Sequence, residues 1–299
     1  MPLDVVCVGV ATLDRIAIVD RVPGEDERVV AEPFTVAGGG PAATAAVALA
    51  RLGARVGFCG VVGDDPAGRL VRDGLSGEGV DTTWLEMRRG VRTTESMILV
   101  SRRSGTRTIV TTPSTAPDPA GVPLDASTWL HVDQTGYASV RAALAKAARG
   151  PLLSIDGGNA IPDLDLAGVE LYAPTVSALA NAVGVGELAP ALRAAAQGGA
   201  RRVVATEGSA GSHVMDGDEV VTVPPFSVDV VSTMGAGDVF HGALLAGLVA
   251  GRGTVDAVRW ANAVAALSCL ALDGRSGIPG VAETEAFLAR ASAGGSGNN

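Results

Sequence analysis

This sequence is poor in the residues on which several large classes of binding site depend. Its 299 residues include three cysteines, three histidines and a single lysine, Lys146. It contains no Gly-Lys-Ser/Thr sequence, and no Gly-x-Gly-x-x-Gly follows the first predicted strand, so neither a Walker-type P-loop nor a dinucleotide-binding loop is present. Any phosphate site must therefore be built from backbone N–H groups and arginines.

The cysteines and histidines are scattered rather than grouped. The cysteines each lie in an apolar run, which predicts buried free thiols in a reducing compartment: Cys7, Cys59 and Cys269. The histidines show no metal-ligand spacing, so the sequence does not predict a zinc site: His131, His213 and His241.

The charge balance excludes other partners. The net charge of −9 and a pI near 4.8 disfavour a nucleic-acid groove and an anionic membrane surface. No window of about 20 residues is free of charge, which excludes a predicted membrane span. The N-terminus lacks the basic region of a signal peptide, so we expect a cytoplasmic protein. Hydrophobic residues make up 47%, enough for a large core.

The most informative stretch is Ser232–Asp238, which reads Ser-Thr-Met-Gly-Ala-Gly-Asp and precedes an apolar run to Leu248. The start of a helix offers free N–H groups and a positive dipole end, which suit a phosphate. A carboxylate beside such a site is suited to take a proton from an attacking hydroxyl. Alternatively, the tetrapeptide is a turn with Asp238 as an N-cap, and the two interpretations are compatible.

Three further segments join this stretch in one pattern: Gly38–Ala54, Val61–Asp65 with Gly68, and Thr206–Gly211. Together they resemble the ribokinase-like (PfkB) carbohydrate kinases, in family order and spacing over nearly the whole chain. The resemblance implies an α/β fold, with a three-layer α/β/α arrangement, a mainly parallel central sheet and a small β-sheet lid. The alternation of predicted strands and helices also favours a parallel sheet.

We therefore expect one kinase domain over residues 1–291. Its lid strands are drawn from about 14–37 and 92–112, including an antiparallel strand over Arg28–Val36. The Gly/Ser/Asn-rich residues 292–299 are expected to be a disordered tail.

The resemblance assigns the chemistry to the helix start. Asp238 is the candidate general base. The backbone N–H groups of Gly235, Ala236 and Gly237 would donate to the charge that builds up in the transition state.

The sugar side is expected near the first strand and the glycine-rich loop. Asp14 would bind sugar hydroxyls, since a carboxylate accepts two hydrogen bonds well; alternatively it is a solvated acid. Gly39 and Gly40 would let the backbone approach the sugar, and Thr44 stands where the family often has Asn. Arg28, on its predicted lid strand, would face an anionic group of the substrate or lie in solvent.

The nucleotide side is expected to hold ATP with Mg²⁺. The residues that match the family there are Thr206, Gly208, Gly211, Asn262 and Gly274. Asn262 is equally compatible with helix packing.

Two departures from the family pattern bear on metals. Ser232 replaces the family's Asp, which weakens a monovalent-cation site and leaves dependence on such an ion open. Pro174–Ala178 contains no carboxylate where the family has one tied to Mg²⁺, so no direct metal ligand is assigned.

The expected function is ATP-dependent phosphorylation of a hydroxyl of a sugar or sugar acid. Four segments resemble the sulfofructose-phosphorylating branch of the family, which implies an anionic ketose-type substrate such as sulfofructose: Cys7–Ile16, Gly38–Ala48, Gly235–Leu244 and Gly274–Pro279. Activity on 2-keto-3-deoxygluconate, ribose or a nucleoside, and a non-catalytic sugar or nucleotide sensor, remain as alternatives.

Two expectations concern the lid. Arg15, Arg28 and Arg107 would form a positive rim for an anionic sugar. Four short strands cannot bury both faces alone, so we expect a homodimer through the lid.

Overall fold

The computed structural model describes residues 2–104, 106–217 and 219–294. Within them the short apolar and alternating runs form strands, listed in chain order: β1 Leu3–Val8, β2 Thr12–Val19, β3 Thr35–Gly39, β4 Val56–Gly63, β5 Asp81–Arg88, β6 Thr94–Ser101, β7 Arg107–Thr111, β8 Ser127–Val132, β9 Leu152–Gly157, β10 Val169–Pro174, β11 Arg202–Thr206, β12 Ser212–Asp216 and β13 Glu219–Val223.

The helices occupy most of the segments between these strands: α1 Pro41–Arg51, α2 Pro66–Gly77, α3 Tyr137–Leu144, α4 Val176–Val183, α5 Leu188–Gln197, α6 Ala236–Val249, α7 Thr254–Ser268 and α8 Val281–Gly294. Residues 292–294, which were expected to belong to a disordered tail, instead form the end of α8. The rest of that expected tail, residues 295–299, lies outside the described residues.

The central sheet has the order β13-β12-β11-β10-β9-β8-β1-β4-β5. Its strands pair in parallel from β11 to β5, and only the hairpin β12–β13 adds antiparallel pairs. One apolar cluster packs α1, α2, α6 and α7 on one face, and a second packs α3, α4 and α5 on the other. The expected three-layer fold with a mainly parallel sheet is confirmed, and the buried middle strands are the apolar runs that predicted it.

A separate sheet of order β3-β2-β6-β7 forms the lid. Its outer pairs are antiparallel as expected, but β2 and β6 pair in parallel. The expected strand over Arg28–Val36 is wrong, because β3 begins only at Thr35. Pro33 explains the difference, since proline has no N–H to donate to a sheet.

Side chains alternate across the lid. The row Asp14, Ser96 and Thr111 faces the central sheet, whereas Val36, Met97 and Val110 lie on the outside beside Arg15.

Two further predictions can be compared with the described residues. The cysteines are buried and unpaired, as the sequence indicated. None of the helices in 2–104, 106–217 and 219–294 is both long and apolar enough to cross a bilayer.

Candidate active site

A cavity of about 470 Å³ lies between the inner face of the lid and the carboxyl ends of the central strands. This is where ligands bind in open parallel sheets. Nine of the predicted site residues line it: Asp14, Gly39, Gly40, Thr44, Thr206, Gly235, Gly237, Asp238 and Gly274. Five do not: Arg28, Gly208, Gly211, Ala236 and Asn262. The fold therefore brings the expected sugar loop together with the helix start and its base, from two distant parts of the sequence.

The start of α6 is shaped by Gly235. This residue has a φ of +69°, and a Cβ there would lie 2.8 Å from the Cα of Gly274. Only glycine fits both conditions at low cost. The turn places the first N–H groups of α6 at the cavity, where an anion is favoured. The N–H of Ala236 already donates to the Thr233 carbonyl at 3.3 Å, so Gly237 is the better placed donor.

Asp238 occupies the first turn of α6, and its carboxylate accepts no hydrogen bond from the described residues. Burial raises its pKa to about 7, and the negative charge of Asp156 adds to the rise. A carboxyl with a pKa near neutrality is well matched to accept a proton from an alcohol at the moment of attack.

The glycine-rich loop approaches β2 closely. Gly40 has a φ of +92°, and a Cβ on it would lie 2.4 Å from the Val10 carbonyl oxygen. Beside this contact Asp14 accepts a hydrogen bond from the Thr12 hydroxyl at 2.7 Å, and its carboxylate faces the cavity. The remaining lone pairs of Asp14 are free to accept sugar hydroxyls.

Arg275 supports the same loop from the C-terminal end of the chain. Its guanidinium is buried and donates to the Gly39 carbonyl at 2.8 Å and to the Thr44 hydroxyl at 3.3 Å. Burial lowers its pKa to about 10, and the nearby Asp14 and Glu78 oppose that fall. Thr44 therefore serves this arginine as well as facing the cavity. The segment Gly274–Pro279 belongs to the family pattern in the sequence, but nothing in that pattern indicated a role for the Arg275 side chain.

Asp133, at the end of β8, is a second supporting residue that sequence reasoning missed. It is fully buried and accepts four backbone N–H groups, two from its own loop and two from the sugar side. Those of the sugar side come from Val10 at 2.8 Å and Ala42 at 3.3 Å. One carboxylate thus fixes the end of β1 relative to the start of α1.

Comparison with known proteins identifies the family. The family model described as "pfkB family carbohydrate kinase" matches residues 2–154 and 159–279. This chain belongs to the pfkB family of carbohydrate kinases. It is a phosphotransferase of the ribokinase and fructokinase kind, as its relatives are named.

The kinase is 29% identical to a ribokinase from Bacillus subtilis, over 95% of this chain and 99% of the relative. It is 32% identical to a fructokinase from Klebsiella pneumoniae, over 78% and 82%. Among solved structures, a fructokinase from Vibrio cholerae in fructose-, ADP- and potassium-bound form has a TM-score of 0.76 and 27% identity. That likeness covers 96% of the kinase and 99% of the other chain.

Asn262 of the kinase is used within the fold. Its amide oxygen accepts from the Ser212 hydroxyl at 2.8 Å, and its amide nitrogen donates to the carbonyls of Val223 and Pro224. These bonds agree with the packing interpretation that the sequence left open. Gly208 and Gly211 lie in the turn between β11 and β12, and within this segment only Thr206 lines the cavity.

The three lid arginines have different environments. Arg28 is exposed in an irregular segment away from the cavity. Arg15 is on the outer face and pairs with Glu95 at 2.9 Å. Arg107 lines the cavity and donates to the Thr233 hydroxyl at 2.7 Å, while it forms no ion pair with a described residue. The rim predicted from sequence is therefore reduced to Arg107.

The two segments that depart from the family pattern, around Thr175 and Ser232, form hydrogen bonds with nearby backbone groups. Thr175 caps α4 by accepting the Ala178 N–H at 3.1 Å. Ser232 is buried and accepts the Met234 N–H at 3.2 Å. Neither segment offers a carboxylate to a cation.

Proposed function

We propose that this kinase transfers a phosphoryl group from ATP to a hydroxyl of a sugar that carries an anionic group. The substrate class is an anionic ketose-type sugar, with a sulfonate, phosphate or carboxylate remote from the reacting hydroxyl, such as sulfofructose. The observation that carries the phosphoryl-transfer step is Asp238, a carboxylate with a raised pKa at a helix start inside the cavity. The related Vibrio cholerae fructokinase, which binds fructose and ADP, supports the assignment of the two ligands.

The step follows from the positions of the groups. Asp238 accepts the proton of the sugar hydroxyl as its oxygen attacks the terminal phosphorus of ATP, and ADP leaves with the bridging oxygen. The N–H groups at Gly235 and Gly237 donate to the transferring phosphoryl oxygens, with the positive end of α6 behind them. Asp14 orients the sugar through its hydroxyls, and the lid restricts water from the cavity.

The cavity suits a magnesium ion that is held mainly by the phosphates of ATP. Three carboxylates line the described cavity: Asp14, Asp156 and Asp238. Asp14 lies at the sugar loop, Asp156 faces His241 and Asp238 is the base, so none of the three is assigned as a direct ligand of the ion. The ion would be held mainly by phosphate oxygens and water, as Mg²⁺ commonly is. When bound, it supplies neutralisation of the phosphate charge.

Arg107 supports the anionic substrate. It lies on the inner face of β7, and one of its nitrogens bonds to Thr233. The rest of the guanidinium is free among the described residues to pair with a planar or tetrahedral anion. A neutral sugar would leave this cation without a partner in an otherwise acidic protein.

The test is a coupled assay of ATP turnover with sulfofructose, fructose 6-phosphate, 2-keto-3-deoxygluconate, ribose and a nucleoside. Wild type should turn over an anionic sugar best. Arg107→Met should raise KM for that sugar by about 10-fold or more, since a charge-assisted hydrogen bond contributes about 1.5–3 kcal/mol. KM for a neutral sugar should stay constant. Arg28→Met and Arg15→Met are matched controls that should leave both unchanged.

Three results would contradict the proposal. A neutral sugar as best substrate refutes the anionic class. A loss of kcat for every sugar in Arg107→Met moves this arginine to the transferring phosphate. An absence of ATP turnover with every sugar supports the sensor alternative.

We also propose that two copies of the kinase associate through the lid. Its outer face exposes Val36, Met97 and Val110, each at least half exposed and aligned in register across neighbouring strands. Burying such a row favours pairing with an equal surface. Light scattering should give a dimer mass at micromolar concentration, and Met97→Glu should give a monomer. A wild-type monomer at tens of micromolar contradicts the proposal.

A further inference from the structure

Three buried side chains meet beneath the active-site cavity. His131 comes from β8, Asp156 from β9 and His241 from α6, and each is at most 4% exposed. Their ligand-forming atoms lie within 4.8 Å of one another. The sequence gave no sign of this cluster, because its members lie far apart in the chain and only the parallel sheet aligns them.

Among the described residues, one atom of each side chain lacks a partner in ordinary hydrogen-bond geometry: His131 Nε2, Asp156 Oδ2 and His241 Nδ1. Asp156 Oδ2 and His241 Nδ1 lie 2.9 Å apart and pair with each other, which leaves His131 Nε2 as the one of the three with no partner among the described residues. Buried polar atoms without partners are rare, and each one calls for an explanation. Here the three atoms lie within 4.8 Å of one another, and none of them bonds to a described residue outside the cluster.

The remaining atoms of the cluster are held by neighbours. His131 Nδ1 bonds to the Ser154 hydroxyl at 2.9 Å, and Asp156 Oδ1 accepts the Gly158 N–H at 2.8 Å. His241 forms a backbone hydrogen bond with Ala173. Outer partners of this kind orient metal-binding imidazoles and carboxylates and leave the other atom free for the ion.

We infer that His131, Asp156 and His241 form a binding site for a divalent transition metal of the zinc class. Two imidazoles and a carboxylate suit zinc, cobalt or nickel, whereas magnesium prefers oxygen ligands alone. A tetrahedral ion with bonds of about 2.1 Å holds its ligand atoms about 3.4 Å apart, so atoms of the cluster that now lie up to 4.8 Å apart must move closer by as much as about 1.4 Å to close the site. Asp156 and His241 also line the cavity, which provides an entry path and room for water as a fourth ligand.

This site is separate in chemistry from the magnesium that accompanies ATP. It lies one helical turn after Asp238 on α6, joined through His241 to two strands of the sheet. An ion there would fix the start of α6 relative to β8 and β9. The inference rests on the cluster's geometry alone and not on the proposed substrate.

The experiment uses the full chain, stripped with a chelator and dialysed. Zinc is added with a competing chromophoric chelator, and the bound metal is counted by elemental analysis after desalting. We expect one zinc per chain, and visible absorption from a bound cobalt ion when cobalt replaces zinc. His131→Gln and His241→Gln should weaken zinc binding by more than about 100-fold, because loss of an outer partner alone costs about 10- to 100-fold.

Two further variants sharpen the result. His213→Gln is the matched control, since His213 bonds to Thr222 and Glu207 away from the cluster, and its zinc affinity should equal that of wild type. Ser154→Ala should weaken binding by about 10-fold without removing a ligand. Wild type that keeps no zinc or cobalt overturns the inference, even if the cluster variants fail to fold. Equal zinc binding in wild type, His131→Gln and His241→Gln overturns it too.

Discussion

Replacing Asp238 by Asn should remove catalysis and at the same time stabilise the protein. Loss of the general base should lower phosphoryl transfer by about 10²- to 10⁴-fold. ATP binding should persist, since the N–H groups at the start of α6 are unchanged. The two effects have one cause, a carboxylate that is useful for the reaction and unfavourable for the fold.

The size of the stabilisation follows from the pKa of Asp238, about 7 against an ordinary value of 3.8. Such a difference corresponds to about 4 kcal/mol of unfavourable folding free energy when the group is ionised. The side chain opens to solvent in the cavity, so about 2 kcal/mol is the better estimate. A gain of that size raises Tm by about 4 °C.

The sign depends on pH. Because the pKa of Asp238 is raised in the folded state, the native protein holds a proton between about pH 4 and 7 that the unfolded chain releases. Stability from this group therefore falls as pH rises through that window. The gain in Tm of Asp238→Asn should be full at pH 8 and should shrink towards pH 5.

Asp256→Asn is the matched control, since Asp256 is also a first-turn acid but lies exposed at the start of α7. Its loss should cost about 0.3–1 kcal/mol through the helix dipole and leave turnover unchanged. Calorimetry at pH 5 and 8 with the coupled assay measures both variants. More than a tenth of wild-type turnover in Asp238→Asn refutes the base assignment, and a lower Tm refutes the electrostatic argument.

Three other outcomes are expected. In protein stripped of transition metals, kcat/KM should rise with pH through about 7 and then level, because Asp238 acts when ionised; a flat profile from pH 5.5 to 8.5 would count against it. Gly40→Ala should destabilise the protein by about 1–3 kcal/mol more than Gly53→Ala, since both have positive φ but only Gly40 meets Val10; equal losses in denaturant melts would exclude the contact. Arg275→Met should raise the sugar KM about 10-fold with little change for ATP, and an unchanged sugar KM would show that the loop holds without it.

The parts of the fold that sequence patterns predicted are those with a repeated physical signal. The buried strands β1, β4 and β8 to β11 are short apolar runs. The long helices α1, α6 and α7 were also predictable, because each is a longer apolar stretch. The hairpin β12–β13 was missed, although Asp216-Gly217 is a turn signal between two β-branched runs. The edge strand β5 was missed because its polar side chains give no apolar run.

The candidate site divides in the same way. Gly40, Gly235 and Asp238 belong to motifs whose residue types reflect backbone conformation and charge, so the sequence revealed them. Asp133 and Arg275 are single polar residues that act across the fold, and no local pattern marks them. Arg28 was misplaced because the strand predicted for it begins only at Thr35, so Arg28 lies outside the lid sheet.

The bonds of Arg275 also bear on how the protein is made. Arg275, whose side chain holds the sugar loop, lies 231 residues after Thr44 in the sequence, yet the two side chains are in contact. During synthesis the loop therefore emerges well before the side chain that supports it. Contacts of such long sequence separation form late, because the intervening chain must be ordered first. An unfinished chain therefore lacks an assembled sugar site, and the ability to bind sugar reports that the whole domain has been completed.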